Sequence, residues 1–532
     1  MLSEKYKGFL GWVVYQIYPR SFKDTNGDGI GDLCGIIEKL DYLCELGVNA
    51  IWICPCYKSP NVDNGYDIAD YFDIMDDFGT MDDMKNLINE AHSRGIKVIM
   101  DLVPNHTSAE HKWFKESKKS KDNPYSDYYY WFDEPQNDWK TISGGNPWEY
   151  CEERGQYYFH HYDATMPDLN WTNPNVREGI NEIVDFWSGL GVDGFRCDVI
   201  HEISKDFKNG LMSMGPYIHE YINGLFGRPE SKHLFTVGEC WVWNANSFLN
   251  LTKEERNELS TMFQFEHISF GRESKYVPQP QSLTVLRDVL LQWQAFTVEN
   301  DLLYTLFTDN HDQAPFISRV GDVSKYRYEI ATCVAAMLYT LRGIPFIYQG
   351  QEFGTLSPHS ETLNDFRDYE SFNYYELHRA EFGEEEVLKR LNFGSRDNAR
   401  HPIAWDGSKY CGFSGVEPWI SPNSHYKAVN LEADRNSDKS VFDFYKSLLK
   451  IRKESNAIIL GSVKALNREE DKYSIVEREY EGEKIVICCN FEEESNIEIP
   501  YSNLELLLSN SKCRNNNSSA YKPYEIAIYK VI

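Results

Sequence analysis

Eight short apolar runs constrain the fold of this 532-residue chain more than any other sequence feature. A parallel sheet that is buried on both faces requires strands that are apolar almost throughout. Amphipathic helical patterns lie between several of the runs, at residues 31–47, 80–95 and 175–191, and each pattern ends at a glycine. Strands that alternate with helices in this way predict an α/β fold, a (β/α)8 TIM barrel. The runs lie at residues 12–22, 50–57, 96–106, 193–200, 233–240, 261–268, 303–312 and 343–352.

Three further segments do not fit a simple barrel repeat. Residues 107–171, between the third and fourth runs, are rich in Tyr, Trp, Asn, Gly and Pro and predict an inserted subdomain. Residues 354–436 are also long and aromatic, and we expect them over the same end of the barrel. Short strand-like runs near the C-terminus predict an all-β sandwich domain. The predicted division is a barrel at 1–106 and 172–456, an inserted subdomain B at 107–171 and a β domain at 457–532.

Charge and cysteine usage exclude several classes of function. The net charge of −28 argues against a nucleic acid partner, because such binding requires clustered Lys and Arg. No apolar stretch is long enough for a membrane span, and the N-terminus has no leader-like apolar segment. The 12 cysteines are scattered without a C-x-x-C pair, which favours reduced thiols in a cytoplasmic protein. We expect a monomer without a membrane partner.

Four of the eight apolar runs end in ionisable and other polar side chains. In α/β barrels the active site is built at the C-terminal ends of the strands, so these groups are expected to converge. One carboxylate alone is as easily a helix cap or a structural ion partner, but four strand ends with the same property favour a catalytic site. The strand-end groups are Asp101, Asn105 and His106, then Arg196 and Asp198, then Glu239, and finally Asp309, Asn310, His311 and Asp312.

Several carboxylates without a catalytic Ser or Cys motif predict cleavage of a glycosidic bond. That reaction needs one carboxyl group to protonate the leaving oxygen and a second, ionised one to meet the anomeric carbon. Arg196 lies two residues before Asp198, on the same face of a strand, and its charge is expected to favour the ionised form of Asp198. Burial of Glu239 is expected to favour its protonated form.

Four ordered segments resemble the conserved regions of the α-amylase superfamily, glycoside hydrolase family 13. They are DLVPNH (101–106), GFRCDVI (194–200), VGEC (237–240) and TDNHDQ (308–313). The resemblance covers nearly the whole chain. Within the superfamily the chain is similar to the oligo-1,6-glucosidase group in the segments SPNVDNGYDIADY (59–71), PDLNW (167–171), FQFEH (263–267), IYQGQEFG (347–354) and SRDNARHP (395–402).

The resemblance implies a role for each matching residue. Asp198 corresponds to the nucleophile, Glu239 to the general acid/base, and Asp312 to a third carboxylate that holds the sugar 2- and 3-hydroxyls. A retaining mechanism needs the first two carboxyl groups about 5–5.5 Å apart, and we expect that separation. The implied substrate-binding residues are Tyr66, Asp67, His106, Tyr162, Arg196, Val199, His311 and Arg400.

Two of these positions bear on specificity. Asp67 and Arg400 correspond to a pair that binds the terminal 4-hydroxyl and closes the pocket, which implies an exo-acting enzyme. Val199 follows the nucleophile, where the group carries Val in enzymes that prefer α-1,6 linkages. The segment ISRVGD (317–322) lacks the RLDRD-like motif of sucrose isomerases, which disfavours isomerisation. The expected substrate is a small isomaltose-type oligosaccharide.

Other functions remain open from the residues. Within the enzyme class they are an α-1,4-glucosidase, a sucrose hydrolase and, less favoured, a trehalose-6-phosphate hydrolase, for which the sequence shows no basic phosphate pocket. Non-catalytic relatives that accompany transporters carry a membrane helix and an incomplete set of carboxylates. A simple sugar-binding module would not need Asp198 and Glu239 on adjacent strands.

The segment DTNGDGIGD (24–32) predicts a metal loop. Asp24, Asn26, Asp28 and Asp32 offer oxygen ligands at regular spacing, with Gly29 for the turn, and such donors suit Ca²⁺. The alternative is a turn with an Asp cap before the first helix. In family members this loop holds structural Ca²⁺, with the backbone carbonyl of Ile30 as a further ligand. No organic cofactor is expected.

Overall fold

A parallel sheet of eight strands forms the centre of the molecule. The structure is a computed structural model that describes residues 6, 8–241, 244–515 and 518–532; part of the N-terminal stretch considered for a leader lies outside this range. Each of the eight apolar runs contains one strand. The strands are β1 (Val14–Ile17), β2 (Ala50–Ile53), β3 (Lys97–Leu102), β4 (Gly194–Cys197), β5 (Phe235–Glu239), β6 (Thr261–Phe263), β7 (Thr305–Leu306) and β8 (Ile344–Tyr348).

The sheet closes into a barrel, as predicted. Its order is β6-β5-β4-β3-β2-β1-β8-β7, and neighbouring strands run parallel. Side-chain hydrogen bonds join the two end strands: Thr305 Oγ1 donates to the carbonyl of Met262, and Thr261 Oγ1 to that of Leu303. The side chains of the strands are buried almost throughout, which explains their apolar composition.

Helices surround the barrel between the strands. Thr80 and Asp83 form a capping box that begins the helix Met81–Ser93. The predicted helix at 31–47 is two helices, because Lys39 leaves the helical conformation and its ammonium lies 4.2 Å from the ring centre of Trp405. The helices that follow β1 to β8 in turn are Leu33–Glu38 with Leu40–Leu46, Met81–Ser93, Pro174–Gly189, Ile218–Phe226, Ala245–Thr252, Leu283–Glu299, Val323–Tyr339 and Val441–Glu454.

The segment inserted after β3 has its own small sheet. Its strands are Trp131–Phe132, Gln156–Phe159 and Trp148–Cys151, in that spatial order and antiparallel, preceded by the helix Lys112–Ser117. The segment after β8 contains the helices Tyr369–Phe382 and Glu384–Gly394. Both segments contribute side chains to the cavity at the C-terminal end of the barrel. The domain boundaries at 107, 171 and 457 stay predictions.

A five-stranded antiparallel sheet forms the C-terminal part. One face, with Ile485 and Ile487, packs into the main hydrophobic core with the barrel helices. The other face is covered by a two-stranded ribbon, Ser495–Asn496 with Ala520–Tyr521, so the sandwich has only a short second layer. The strands of the sheet, in spatial order, are Ser462–Ala465, Tyr473–Tyr480, Glu483–Asn490, Ile526–Val531 and Leu504–Ser509. Within the described ranges, no helix is both long and apolar enough to cross a membrane.

Candidate active site

Three carboxylates share one buried guanidinium at the C-terminal ends of β3, β4 and β5. Arg196 Nη1 donates to Asp198 Oδ1 at 2.7 Å and to Asp101 Oδ1 at 2.8 Å, and Nη2 donates to Glu239 Oε2. The strands bring these residues together because they are neighbours in register. Asp198 and Glu239 line the same cavity, whereas Arg196 lies behind them. The expected separation of about 5–5.5 Å between these two carboxyl groups stays a prediction.

The backbone after Asp198 is strained. The amide of Asp198 still donates to the carbonyl of Leu102 at the end of β3. Val199 then adopts φ 33° and ψ 40°, a left-handed conformation that β-branched residues rarely adopt. This turn places the Val199 side chain in the cavity wall and its amide 3.4 Å from Glu239 Oε2. The two catalytic candidates are therefore joined through backbone as well as through Arg196.

Burial and mutual repulsion favour retention of a proton in this cluster. Burial raises the pKa of Asp198 well above its usual range; Arg196 opposes this, while Glu239 and Asp101 add to it. Burial likewise raises the pKa of Asp101 to about 6. The expected effect of Arg196 on Asp198 is present, but burial outweighs it. Asp198 and Asp101 therefore hold a proton more readily than free carboxylates do, even though both accept hydrogen bonds from Arg196.

Asp312 occupies a different electrostatic environment from Asp198. Burial would raise the pKa of Asp312, but His311, Arg396 and Arg400 outweigh it and lower the pKa below the usual range. Arg400 Nη2 donates to Asp312 Oδ1 at 2.8 Å, and Arg396 Nη1 lies 3.6 Å from the same oxygen. Asp312 therefore faces the cavity as a carboxylate, suited to accept hydrogen bonds from hydroxyl groups.

Hydrogen bonds fix the tautomers of His106 and His311. Asn105 Oδ1 accepts from Lys205, so the Asn105 amide nitrogen faces His106 Nδ1 at 3.2 Å and makes that atom an acceptor. The proton of neutral His106 is then on Nε2, which is buried without a hydrogen-bond partner in the described part of the chain. Burial lowers the pKa of His106 to about 4. His106 is therefore a neutral donor at the cavity wall.

His311 lies behind the wall and holds Tyr66. Gln16 Nε2 donates to His311 Nδ1 at 2.8 Å, and His311 Nε2 lies 2.7 Å from the Tyr66 hydroxyl. The two rings stack with their centres 5.3 Å apart. Tyr66 lines the cavity, as does Tyr162, whose ring centre lies 5.0 Å from that of His106. Both tyrosines therefore lie in the cavity wall, and their role in substrate binding stays a prediction.

The predicted pair of Asp67 and Arg400 does not form, and this assignment is corrected. Asp67 is fully buried and accepts hydrogen bonds from Ser59 Oγ and the amides of Val62 and Asp63, so it supports its own loop. Of these two aspartates in the loop, Asp63 and not Asp67 lines the cavity. It accepts from Arg396 Nη2 at 2.8 Å.

The opposite side of the cavity contains residues that the sequence did not indicate. The Trp241 indole donates to Glu239 Oε1 at 2.9 Å and stacks on Phe265 with ring centres 4.0 Å apart. Lys275 forms an ion pair with Glu370 at 2.6 Å. A Trp two residues after a strand-end Glu was a usable signal, because side chains two apart share a face. Lys275 and Glu370 are 95 residues apart, and no local pattern joins them.

The metal-loop residues lie together in one turn. Asp24 accepts from the amides of Gly27 and Gly29, and Asp28 from that of Ile30. Asp32 caps the helix Leu33–Glu38 through the amide of Gly35. Asp24, Asp28 and Asp32 make no ion pair with any described residue, and no group of three or more His, Cys, Asp or Glu there is arranged to hold a metal. The remaining predicted ligands, Asn26 and Ile30, belong to the same turn.

Comparisons with known proteins agree with this geometry. The profile of the α-amylase catalytic domain matches residues 16–461. An oligo-1,6-glucosidase of Parageobacillus thermoglucosidasius is 42% identical over 98% of both chains. A glucan 1,6-alpha-glucosidase of Streptococcus pneumoniae is 39% identical over 94% of this chain and 95% of that one. The crystal structure of Bacillus licheniformis trehalose-6-phosphate hydrolase superimposes with a TM-score of 0.90, at 38% identity over 98% and 99% of the two chains.

The match of fold, ordered motifs and full-length relatives extends over almost the whole molecule, and it settles the assignment that the strand-end carboxylates suggested. The chain belongs to the α-amylase family, glycoside hydrolase family 13, and is a glycoside hydrolase similar to the oligo-1,6-glucosidases.

Proposed function

We propose that the chain is a retaining exo-α-glucosidase that releases glucose from the non-reducing end of isomaltose-type oligosaccharides. The observation that carries this proposal is the placement of Asp198 and Glu239 in one cavity wall, with a carboxylate oxygen of each held by the same guanidinium. Two carboxyl groups that face one site are the minimum for glycosidic cleavage with retention.

The proposed reaction has two steps. The Asp198 carboxylate attacks the anomeric carbon while Glu239 gives its proton to the glycosidic oxygen, and the bond to the leaving sugar breaks. Glu239 then removes a proton from water, whose oxygen displaces Asp198 and releases glucose. The first step requires a proton on Glu239 and an ionised Asp198. Asp312, kept ionised by its cationic neighbours, binds the sugar hydroxyls as the ring distorts.

The end of the cavity near Asp312 supports exo action. Asp63 and Arg396 pair in the wall there, and Arg396 also binds Asp368 through two nitrogens. Arg400, fully buried, binds Asp312 from behind. We propose that this ion-paired wall closes the cavity beyond the terminal glucose, so that one sugar is released at a time. Asp63 and Arg396 thus take the place first assigned to Asp67 and Arg400.

Three features favour α-1,6 linkages. Val199 lies in the cavity wall next to the nucleophile, as the resemblance implied. Trp241 presents a half-exposed ring beside Glu239, and the pair of Lys275 and Glu370 offers charged partners for hydroxyl groups on the leaving side. The relatives named above as oligo-1,6-glucosidase and glucan 1,6-alpha-glucosidase support the same linkage.

One observation favours a second candidate, a phosphorylated disaccharide such as trehalose 6-phosphate. Arg272 lines the cavity on the leaving-group side, donates to Gln313 Oε1 at 2.8 Å and forms no ion pair among the described residues. A guanidinium without a counter-charge suits phosphate. The crystal structure of a trehalose-6-phosphate hydrolase is also among the close structural matches.

Glucose release from isomaltose, maltose, sucrose and trehalose 6-phosphate, measured side by side, tests the proposal. We expect the highest kcat/KM on isomaltose. The Val199→Ala variant should shift the ratio towards maltose and sucrose, and Asp198→Asn should lose at least about a thousandfold in kcat with the thermal unfolding temperature unchanged. A preference for trehalose 6-phosphate would establish the second candidate, and turnover by Asp198→Asn would contradict the nucleophile assignment.

We also propose that the loop Asp24–Asp32 binds structural Ca²⁺. The donors are the hard oxygen ligands that Ca²⁺ prefers, and two of the three carboxylates, Asp24 and Asp32, are buried without a cationic partner among the described residues. A cation would compensate their charge. The loop lies at the start of the first helix and contributes nothing to the cavity wall, so its role concerns stability.

A further inference from the structure

Glu202 is a buried carboxylate in the cavity wall for which the proposed reaction has no role. It ends the short helical turn Ile200–Glu202, four residues after Asp198, and is 5% exposed. Its Oε2 accepts a hydrogen bond from Nδ1 of His161 at 2.8 Å, and its Oε1 accepts one from the Tyr162 hydroxyl at 3.3 Å. One carboxylate therefore holds two consecutive side chains of the segment inserted after β3.

A second tie strengthens this junction. Lys205 Nζ lies 2.7 Å from Asp168 and donates to the carbonyl of Glu202 at 2.7 Å and to Asn105 Oδ1 at 2.6 Å. Asp168 in turn accepts from the amide of His161. The loop after β4 and the inserted segment are thus joined by a buried, charged network rather than by apolar packing alone.

The network ends at the histidine that faces the cavity. The Tyr162 ring lies against the His106 ring, with centres 5.0 Å apart, and both residues line the cavity. His106 lines the cavity, and its Nε2 proton has no hydrogen-bond partner among the described residues, so a hydroxyl of the terminal glucose is its expected acceptor. Glu202 holds Tyr162 from one side, and the bonds of Lys205 and Asn105 orient His106 from the other.

We propose that Glu202 is a positioning residue for the terminal glucose. Through an ion pair with protonated His161, Glu202 holds Tyr162 against His106, an arrangement that we call the clamp. The inference rests on the proposed function, since that function places the glucose at this end of the cavity. Glu202 touches none of the reacting atoms. Loss of the clamp therefore weakens substrate binding and raises KM more than it lowers kcat.

The clamp depends on a proton. The groups that face His161 are Glu202, Asp168, Lys205 and His201. Burial lowers the pKa of His161, but Glu202 and Asp168 outweigh it, so that the pKa lies above the ordinary value. Burial alone would raise the pKa of Glu202, but His161, His201 and Lys205 outweigh burial and lower this pKa to about 2. The raised pKa of His161 and the lowered pKa of Glu202 both favour the charged pair, and its ionic part is lost as the pH rises through the pKa of His161.

The test is the pH dependence of KM for 4-nitrophenyl α-glucoside between pH 6 and 9.5. The wild type should show a rise in KM of about tenfold towards alkaline pH, the size of one hydrogen bond to a charged group. His161→Gln and Glu202→Gln should have the high KM at every pH without the alkaline rise, with kcat within about threefold of the wild type. Glu258→Gln is the matched control, because Glu258 forms a buried pair with His219 at 2.9 Å away from the cavity.

Two results would overturn the proposal: wild-type KM values in both variants at pH 6, or an unchanged alkaline rise in His161→Gln. If Glu202→Gln does not fold, which thermal unfolding would show, His161→Gln carries the test alone. Failure of the wild type to cleave any α-glucoside would contradict the proposed function instead. The clamp would then be judged by calorimetric binding of glucose at pH 6 and pH 9, where the wild type, unlike His161→Gln, should lose affinity at the higher pH.

Discussion

At the scale of single residues, Asp63 and Asp67 show how four positions in a loop separate a ligand-binding group from a structural one. Both belong to the same segment, and both are buried carboxylates. Asp63 forms an ion pair with Arg396 in the cavity wall. Asp67 instead accepts hydrogen bonds from two backbone amides and one hydroxyl group of its own loop. The two aspartates therefore differ in what their loss should affect.

We expect Asp63→Asn to impair substrate binding and Asp67→Asn to impair stability. Replacement of the Asp63 carboxylate weakens a hydrogen bond to a charged group, which is worth a factor of about 10–100 in kcat/KM. Replacement of Asp67 forces an amide nitrogen towards backbone N–H groups, so the unfolding temperature should fall while KM stays near the wild-type value. Steady-state kinetics on isomaltose and thermal unfolding of both variants decide the matter. The reverse pattern would restore the original assignment of Asp67.

The sequence predicted which strand-end carboxylates line the cavity better than it predicted the loops around them. Asp198, Glu239 and Asp312 follow apolar strands, and a strand fixes the direction in which its last side chain points. Asp63 lies in a loop that bends through Asn61 and Asn64, which have φ angles of 65° and 52°. Such left-handed residues decide which carboxylate turns inwards, and the sequence of residue types does not reveal them.

At the scale of elements, the loop Asp24–Asp32 combines a turn, a helix cap and the proposed metal site. The cap alone is a sufficient structural reason for Asp32, since it accepts the amide of Gly35. A cap does not explain the buried charge of Asp24. Its oxygens accept hydrogen bonds from loop amides and from the Ser414 hydroxyl, and no cation contacts them within the part of the chain that the structure describes. Local pattern therefore predicts the turn, and only the burial of charge argues for the ion.

Removal of divalent cations should lower the unfolding temperature and leave kcat unchanged at a temperature where the protein is folded. Saturation at a hundredfold excess over Kd stabilises by about 2.7 kcal/mol, and chelation removes this term. Asp28→Ala should abolish the response to the chelator. The control is Asp83→Ala, which breaks the capping box of the helix Met81–Ser93 and should lower the unfolding temperature equally with and without chelator. A chelator-insensitive wild type would rule out the metal.

At the scale of the whole molecule, the C-terminal sheet docks against the helices on the side of the barrel, and Arg478 extends from it to the turn before β8. The carboxylates lie where the strands end, whereas the C-terminal sheet contacts the turn that leads into the start of β8. Arg478 in that sheet donates to the carbonyls of Thr340, Gly461 and Ser462. The sequence predicted the separate β domain from its strand pattern. It did not predict this docking, because a charged residue in a strand usually faces solvent.

Substitution of Arg478 should therefore weaken the molecule without altering its chemistry. Arg478→Met leaves three carbonyl groups without their donor at a fully buried position, and we expect a loss of about 2–4 kcal/mol in the free energy of unfolding. Arg478→Lys, which keeps the charge but not the three-way geometry, should lie between Met and the wild type. Lys464→Met, at an exposed position on the neighbouring strand, is the control and should change the free energy of unfolding little.

Denaturant unfolding gives the free energies, and kcat/KM at 25 °C should stay constant across the series because the active-site end of the barrel does not contact Arg478. A parallel loss of kcat/KM in the folded variants would show instead that the C-terminal sheet governs the geometry of the active site through β8.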